Sequence, residues 1–125
     1  MATETLERNR VVLDAARTVH RRLGKRCSVE QYEEELVGEL RMRGIGIRDQ
    51  RNTRIFMGGR NTGVYLADIL IDGETLIEIK RADRLTEEEK KSFGRFVEET
   101  EYQRGYLMNF AGEDLEVATF PPSSQ

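Results

Sequence analysis

The sequence predicts a single α/β domain, a β-sheet flanked by helices, and three observations carry that expectation. Apolar residues recur at helical spacing in residues 6–23, 29–43 and 87–101. Between and after these segments lie short β-branched runs bounded by turn residues. The resulting order, α-α-β-β-β-α-β-β, is that of one layered domain. At 125 residues the chain can bury one substantial core but not two. Residues 1–120 read as that domain, and 121–125, PPSSQ, as a frayed tail.

Each element has its own local justification. In LERNRVVLDAARTVHRRL (6–23), Leu6, Val11, Val12, Ala15, Ala16, Val19 and Leu23 form one stripe, and Gly24 is the stop. Ser28-x-x-Gln31 is a capping box that opens a second helix, which runs to Arg43 before Gly44. Residues 45–57 alternate loosely and read as a strand ending in IFM. GGRNTG (58–63) is a turn; its glycines would suit a phosphate only with a helix directly behind them, and none follows. VYLADILIDGETLIEIKR (64–81) is a β-hairpin about Asp72-Gly73. Thr86-x-x-Glu89 caps a third helix, to Glu101, with Phe93, Phe96 and Val97 on its buried stripe. GYLMNF and LEVATF are two closing strands.

Composition excludes several classes of protein. A single cysteine, Cys27, rules out an internal disulfide framework and a cysteine-built zinc site. No apolar run approaches the ~20 residues that span a bilayer. The first residues, MATETLERNR, lack the apolar character of a secretory signal. The expectation is a cytoplasmic protein with no membrane partner. A net charge of −3 excludes a general polycation. The charge is uneven, however: between residues 41 and 60, Arg41, Arg43, Arg48, Arg51, Arg54 and Arg60 are opposed only by Asp49. Such an edge is compatible with nucleic acid and equally with a solvated, salt-bridged face.

The hairpin carries charges where a sheet interior excludes them. Asp68 interrupts its first strand, and Glu78 and Lys80 its second. Desolvating even a neutral polar group without a partner costs ~2–7 kcal/mol, so these positions need a reason. Alternation puts Asp68 on the face of Leu66 and Leu70, and Glu78 on the face of Leu76 and Lys80. Whether the two faces coincide depends on the loop. A two-residue Asp72-Gly73 turn pairs Asp68 with Ile77 and sends the acids to opposite sides. A three-residue loop, Asp72-Gly73-Glu74, pairs Asp68 with Glu78, and like charges directly opposite then need a cation between them. Lys80 is one candidate for that cation and a divalent metal another. On the second helix, Glu33 alone among five glutamates falls in the apolar sector of Val29, Tyr32, Leu36, Val37 and Leu40; Glu39 lies near its opposite edge. A glutamate so placed is more often a buried group with an Arg or Tyr partner than a ligand. The carboxylates of the hairpin nevertheless make it a candidate for the same site.

An oxygen-only donor set without His or Cys suits Mg²⁺ or Mn²⁺. Such an ion can polarise a phosphate and lower the pKa of a bound water, and a neighbouring lysine can position that water or offset charge on the phosphorane. Asp-x(9)-Glu-x-Lys across a hairpin is the spacing this route to phosphodiester hydrolysis needs.

From residue 9 to 118 the chain resembles the GxxExxY proteins of the PD-(D/E)xK nuclease superfamily. AARTVHRRLG (15–24) is similar to the family's first helix and YEEELVGELRMRGI (32–45) to its second. YLADILIDG resembles its Asp strand, LIEIK its ExK strand, and GYLMNF its late strand ending in Asn-Phe. The resemblance implies a restriction-endonuclease-like fold, a central mixed sheet flanked by helices. It assigns Asp68, Glu78 and Lys80 to the metal and catalytic triad, and Glu33 matches a glutamate usual in the family. It also implies nuclease activity on nucleic acid, DNA before RNA. The mechanism expected here adds the Ile79 carbonyl as a further ligand and Glu33 as a helper to the metal site. Three departures stand out. The signature Gly and Glu are replaced by Arg26 and Val29, with only Tyr32 kept; Ser92 stands where Gln is usual; and RNTRI replaces a proline-rich strand. A binding or assembly module that keeps the fold but has weakened catalysis is therefore the rival expectation.

The remaining residues have plainer readings. His20 is expected in a structural hydrogen bond, Cys27 to be inert, and the Tyr32 hydroxyl to bond a core polar group near Glu33 or Lys80. Arg41, Arg43, Arg48 and Arg51 are candidates for backbone-phosphate contacts, which position nucleic acid without reading its sequence. Pairing into a homodimer would extend the footprint of so short a nuclease.

Overall fold

The computed structural model describes residues 2–56, 64–71, 75–99, 102 and 104–121, and only the backbone for 2–6, 48–56 and 64–68. Three helices, α1 (Ala2–Leu23), α2 (Val29–Met42) and α3 (Glu87–Glu99), accompany five strands. The strands are β1 (Ile47–Phe56), β2 (Val64–Ile71), β3 (Thr75–Lys80), β4 (Arg104–Asn109) and β5 (Glu116–Phe120), the order expected from the sequence. They form one sheet in the order β1-β2-β3-β4-β5. All neighbours are antiparallel except β3 and β4, which α3 connects as a parallel pair, so the sheet is mixed. The fold is α/β and restriction-endonuclease-like, as expected. Among the described residues no helix is long and apolar enough to cross a membrane.

Strand alternation divides the interior into two cores. Ile69, Ile71, Ile77, Ile79, Tyr106 and Met108 meet Val12, Ala15, Val19, Leu36, Val37 and Leu40 of α1 and α2 on one face. Leu70, Leu76 and Leu107 meet Phe93, Phe96 and Val97 of α3 on the other. Gly105 lets α3 settle close on β4, since a Cβ there would lie 2.6 Å from Val97 and 2.9 Å from the Phe93 ring.

The first two helices end and begin as their sequences require. Ser28 and Gln31 form the capping box of α2 in both directions. Gly24 follows α1 at φ +80°, a left-handed conformation that favours glycine. The Tyr32 hydroxyl donates to the Gly24 carbonyl at 2.6 Å and accepts from the Cys27 amide, while its ring stacks on Phe110. Its partner is thus the backbone between α1 and α2, and neither Glu33 nor Lys80 is needed to satisfy it. Glu39, placed by helical geometry at the edge of the apolar sector, is only 9% exposed. Arg43 bonds it at 2.9 Å and Arg22 of α1 at 3.1 Å, which together hold its carboxyl below the usual range. A neighbouring helix with arginines makes that burial affordable, and helical geometry alone does not show the neighbour.

Asn109 ties the end of β3 to the start of α3. Its Oδ1 accepts from the amides of Ala82 and Ala111, and its Nδ2 donates to the Ala82 carbonyl and to Glu116 Oε1. That glutamate oxygen also receives the Leu85 amide, and the Phe110 amide donates to the Lys80 carbonyl. The Asn-Phe pair at the end of β4 thereby fixes the strand-to-helix turn beyond Lys80. Asn109→Ala removes four hydrogen bonds from a residue 1% exposed. The expected loss is about 2–3 kcal/mol of unfolding free energy, read by urea titration.

Candidate functional site

The two strands of the hairpin settle which acids meet. In the β2–β3 ladder Ile71 pairs with Thr75, Leu70 with Leu76 and Ile69 with Ile77. Continued by one step, the same alternation would bring position 68 opposite Glu78. This is the register that a three-residue connection demands; residues 72–74 themselves lie outside the described residues. Position 68 shares its face with Leu70, the α3 side of the sheet, to which Glu78 and Lys80 also belong. The side chain of Asp68 lies outside the described residues.

On that face a cleft of about 380 Å³ opens between the end of β3 and the first turns of α3. Glu78 and Lys80 enter it from β3, Leu107 from β4, and Thr86, Glu88, Glu89, Ser92 and Phe93 from the helix and its cap. Lys80 Nζ lies 3.6 Å from Glu78 Oε2 and 3.5 Å from Glu89 Oε2. Burial pushes the Glu78 carboxyl above the usual range; Lys80 opposes that shift and the Glu89 charge adds to it. Glu89 is held low, first by the Thr86 amide and then by Lys80. Among the described residues the Lys80 ammonium therefore stands between two of the cleft's three glutamates, Glu78, which is partly desolvated, and Glu89, which is solvated and capped.

Glu89 is the residue that sequence reasoning missed. The Thr86-x-x-Glu89 pattern identified it as a capping residue, and the cap is present: Glu89 Oε1 accepts from the Thr86 amide, and Thr86 Oγ1 accepts from the Glu89 amide. A capping glutamate reaches back toward the helix start, here the end of β3, and that direction is the signal pointing to Lys80.

The other predicted residues are distributed elsewhere. Glu33 is buried on α2, whose packing partners are on the opposite face of the sheet, and it does not line the cleft. Val29, where the signature glutamate would stand, packs against that same core. The Ile79 side chain also points there, between the two polar residues of its strand. Arg43 is engaged by Glu39 and Thr18. Arg41 is exposed at the end of α2. The side chains of Arg48 and Arg51 on β1 lie outside the described residues. His20 is buried, and its Nε2 faces the Phe110 and Gly112 carbonyls at 3.2 and 2.9 Å. Two acceptors require a proton on that nitrogen, which gives it the structural role expected.

The donor chemistry fits a hard divalent ion: carboxylate oxygens, with an ammonium beside them and no soft ligand. Among the described residues no three His, Cys, Asp or Glu side chains already converge as a metal-binding group.

Comparison with curated proteins and with solved structures finds no match. Comparison with protein families matches residues 7–119 to one, and that match spans both cores, the hairpin and the cleft. The chain belongs to the PD-(D/E)XK nuclease superfamily.

Proposed function

We propose that this chain is a divalent-metal-dependent nuclease of the GxxExxY type, hydrolysing phosphodiester bonds in DNA in the cytoplasm. The observation that carries the reading is the β2–β3 register, in which Leu70 pairs with Leu76; alternation puts position 68 on the face of Leu70, the face that bears Glu78 and Lys80. Membership of a nuclease superfamily supports nucleic acid as substrate and a divalent metal as the usual cofactor. Asp68 and Glu78 would hold Mg²⁺ or Mn²⁺, with the Ile79 carbonyl as a further ligand. Bound there, the ion supplies charge for the scissile phosphate and acidifies a water.

The chain's own residues do the rest. The Lys80 ammonium hydrogen-bonds the attacking water and offsets negative charge as it develops on the phosphate oxygens. The partly buried setting of Glu78 excludes water from one side and strengthens each of these interactions. Arg41, Arg48 and Arg51 serve the flanking backbone phosphates; Arg43 is left out because Glu39 and Thr18 occupy it. Glu33, on the opposite layer, is also left out.

The second reading, a nuclease-fold module acting in binding or assembly, draws on one observation. Val29, partly buried, packs against the core where the signature calls for a glutamate, so α2 sends no carboxylate from that position. Lys80 would then serve only to neutralise its acidic neighbours.

Lys80→Ala is expected to lower Mg²⁺-dependent cleavage of plasmid DNA by ~100-fold or more. Its unfolding free energy should change by no more than about 1 kcal/mol, because the ion pairs it loses are partly exposed. Undiminished cleavage by the variant would rule out this role. Metal binding is checked separately by thermal melting. Millimolar Mn²⁺ at a thousandfold excess over Kd should stabilise the protein by about 4 kcal/mol. Asp68→Asn should lose that response without losing metal-free stability, since it removes a charge opposite Glu78. No metal response in the unmodified protein favours the second reading.

A further inference from the structure

We infer that Glu89 is a positioning residue for Lys80, holding its ammonium in the cleft whether or not Glu78 is engaged by a metal. The inference rests on the reading of Lys80 as the residue that serves the attacking water. Three observations carry it. Glu89 Oε2 lies as close to Lys80 Nζ as Glu78 Oε2 does, 3.5 against 3.6 Å. Its other oxygen is fixed by the Thr86 amide at 3.0 Å, so the carboxylate is anchored before Lys80 arrives. The turn that sets this helix start against β3 is itself held by Asn109 and Glu116.

The chemistry of the cleft gives that arrangement a purpose. A lysine is a flexible four-carbon stem with a strongly hydrated head, and one carboxylate does not fix its direction. Two carboxylates on different elements do. Glu78 cannot give its charge to a divalent ion and neutralise Lys80 fully at the same time. Glu89, on α3, is the partner that remains, and the helix cap keeps it from following Lys80 into solvent. The short polar Ser92, one turn further along α3, leaves the cleft open above this pair.

Glu89→Gln separates the two tasks of this side chain. Glutamine at this helical position still completes a capping box, so the helix start is kept while the charge facing Lys80 is lost. The control is Glu87→Gln, which removes a charge from the same first turn, where its partner is Lys90 rather than Lys80. Two readouts are taken on the full chain, cleavage with Mg²⁺ and the lysine signal both metal-free and with diamagnetic Mg²⁺. The first is steady-state cleavage of a DNA duplex. E89Q should lose kcat by roughly tenfold to a hundredfold with KM and melting temperature retained, while E87Q matches the unmodified protein.

The second readout is the Lys80 ε-methylene signal in lysine-labelled protein, assigned through K80R. It should show two resolved proton shifts in the unmodified protein and in E87Q, and a single averaged shift in E89Q. A signal already averaged in the unmodified protein, or unchanged in E89Q, overturns the inference. Full kcat in E89Q overturns it as well. If the unmodified protein cleaves no DNA, the nuclease reading fails by itself, and the Lys80 signal still decides whether Glu89 holds the lysine.

Discussion

A β-ladder has a side-chain period of two, so the register of one hairpin is a binary choice with large consequences. With Ile71 across from Thr75, the sheet sends Ile69, Ile71, Ile77 and Ile79 into the α1–α2 core and Leu70 and Leu76 beneath α3. A slip of one residue between β2 and β3 would send one strand's isoleucines to the wrong core and separate position 68 from Glu78. The apolar demand of both cores therefore fixes the polar geometry of the cleft. The charged residues do not choose their place; the burial of their neighbours chooses it for them.

That constraint explains how a sheet tolerates an acidic pair beside an ammonium. Glu78 is partly desolvated, and its carboxyl is raised accordingly, yet Lys80 stands close enough to oppose the shift. On the helix side, Glu89 has the opposite character, solvated and held low by the cap. The cleft thus keeps one acid whose charge is costly and one whose charge is stable, with the lysine shared between them. The helix carries its anion as part of its own cap, so charge balance and helix formation draw on the same carboxylate.

Support for this arrangement comes from the strands beside β3, where Asn109 of β4 pairs with Lys80 itself. Asn109 and Glu116, on neighbouring strands, bind the backbone between Lys80 and α3. The turn is therefore set by buried hydrogen bonds rather than by its own sequence, RADRL, which has no strong turn signal. On the opposite layer, the residues nearest the family's signature do structural work. Tyr32 closes the gap between α1 and α2, Val29 fills core space, and Glu39 is clamped by arginines from both helices. Tyr32 and Val29 thus pack on the face of the sheet opposite the cleft that Glu78 and Lys80 line.

The order of elements, both capping boxes, the helix stops and the apolar stripes are written in local sequence, because hydrophobic periodicity and capping act within a few residues. So is the Asp-x(9)-Glu-x-Lys spacing of Asp68, Glu78 and Lys80. Two matters were not legible there. The hairpin's alternation was equally consistent with two loops, and only the packing of two separate cores selects between them. The partners of Glu89, Glu39 and Tyr32 come from residues distant in the chain or from the backbone of another element, which no helical wheel displays. Glu33 is the complementary case: its spacing predicts burial and it is buried, yet a stripe does not say which face of the sheet receives it. Local sequence sets which residues are buried, whereas the layering of α1 and α2 against α3 decides who meets them, because burial is a property of one residue and contact is a property of two.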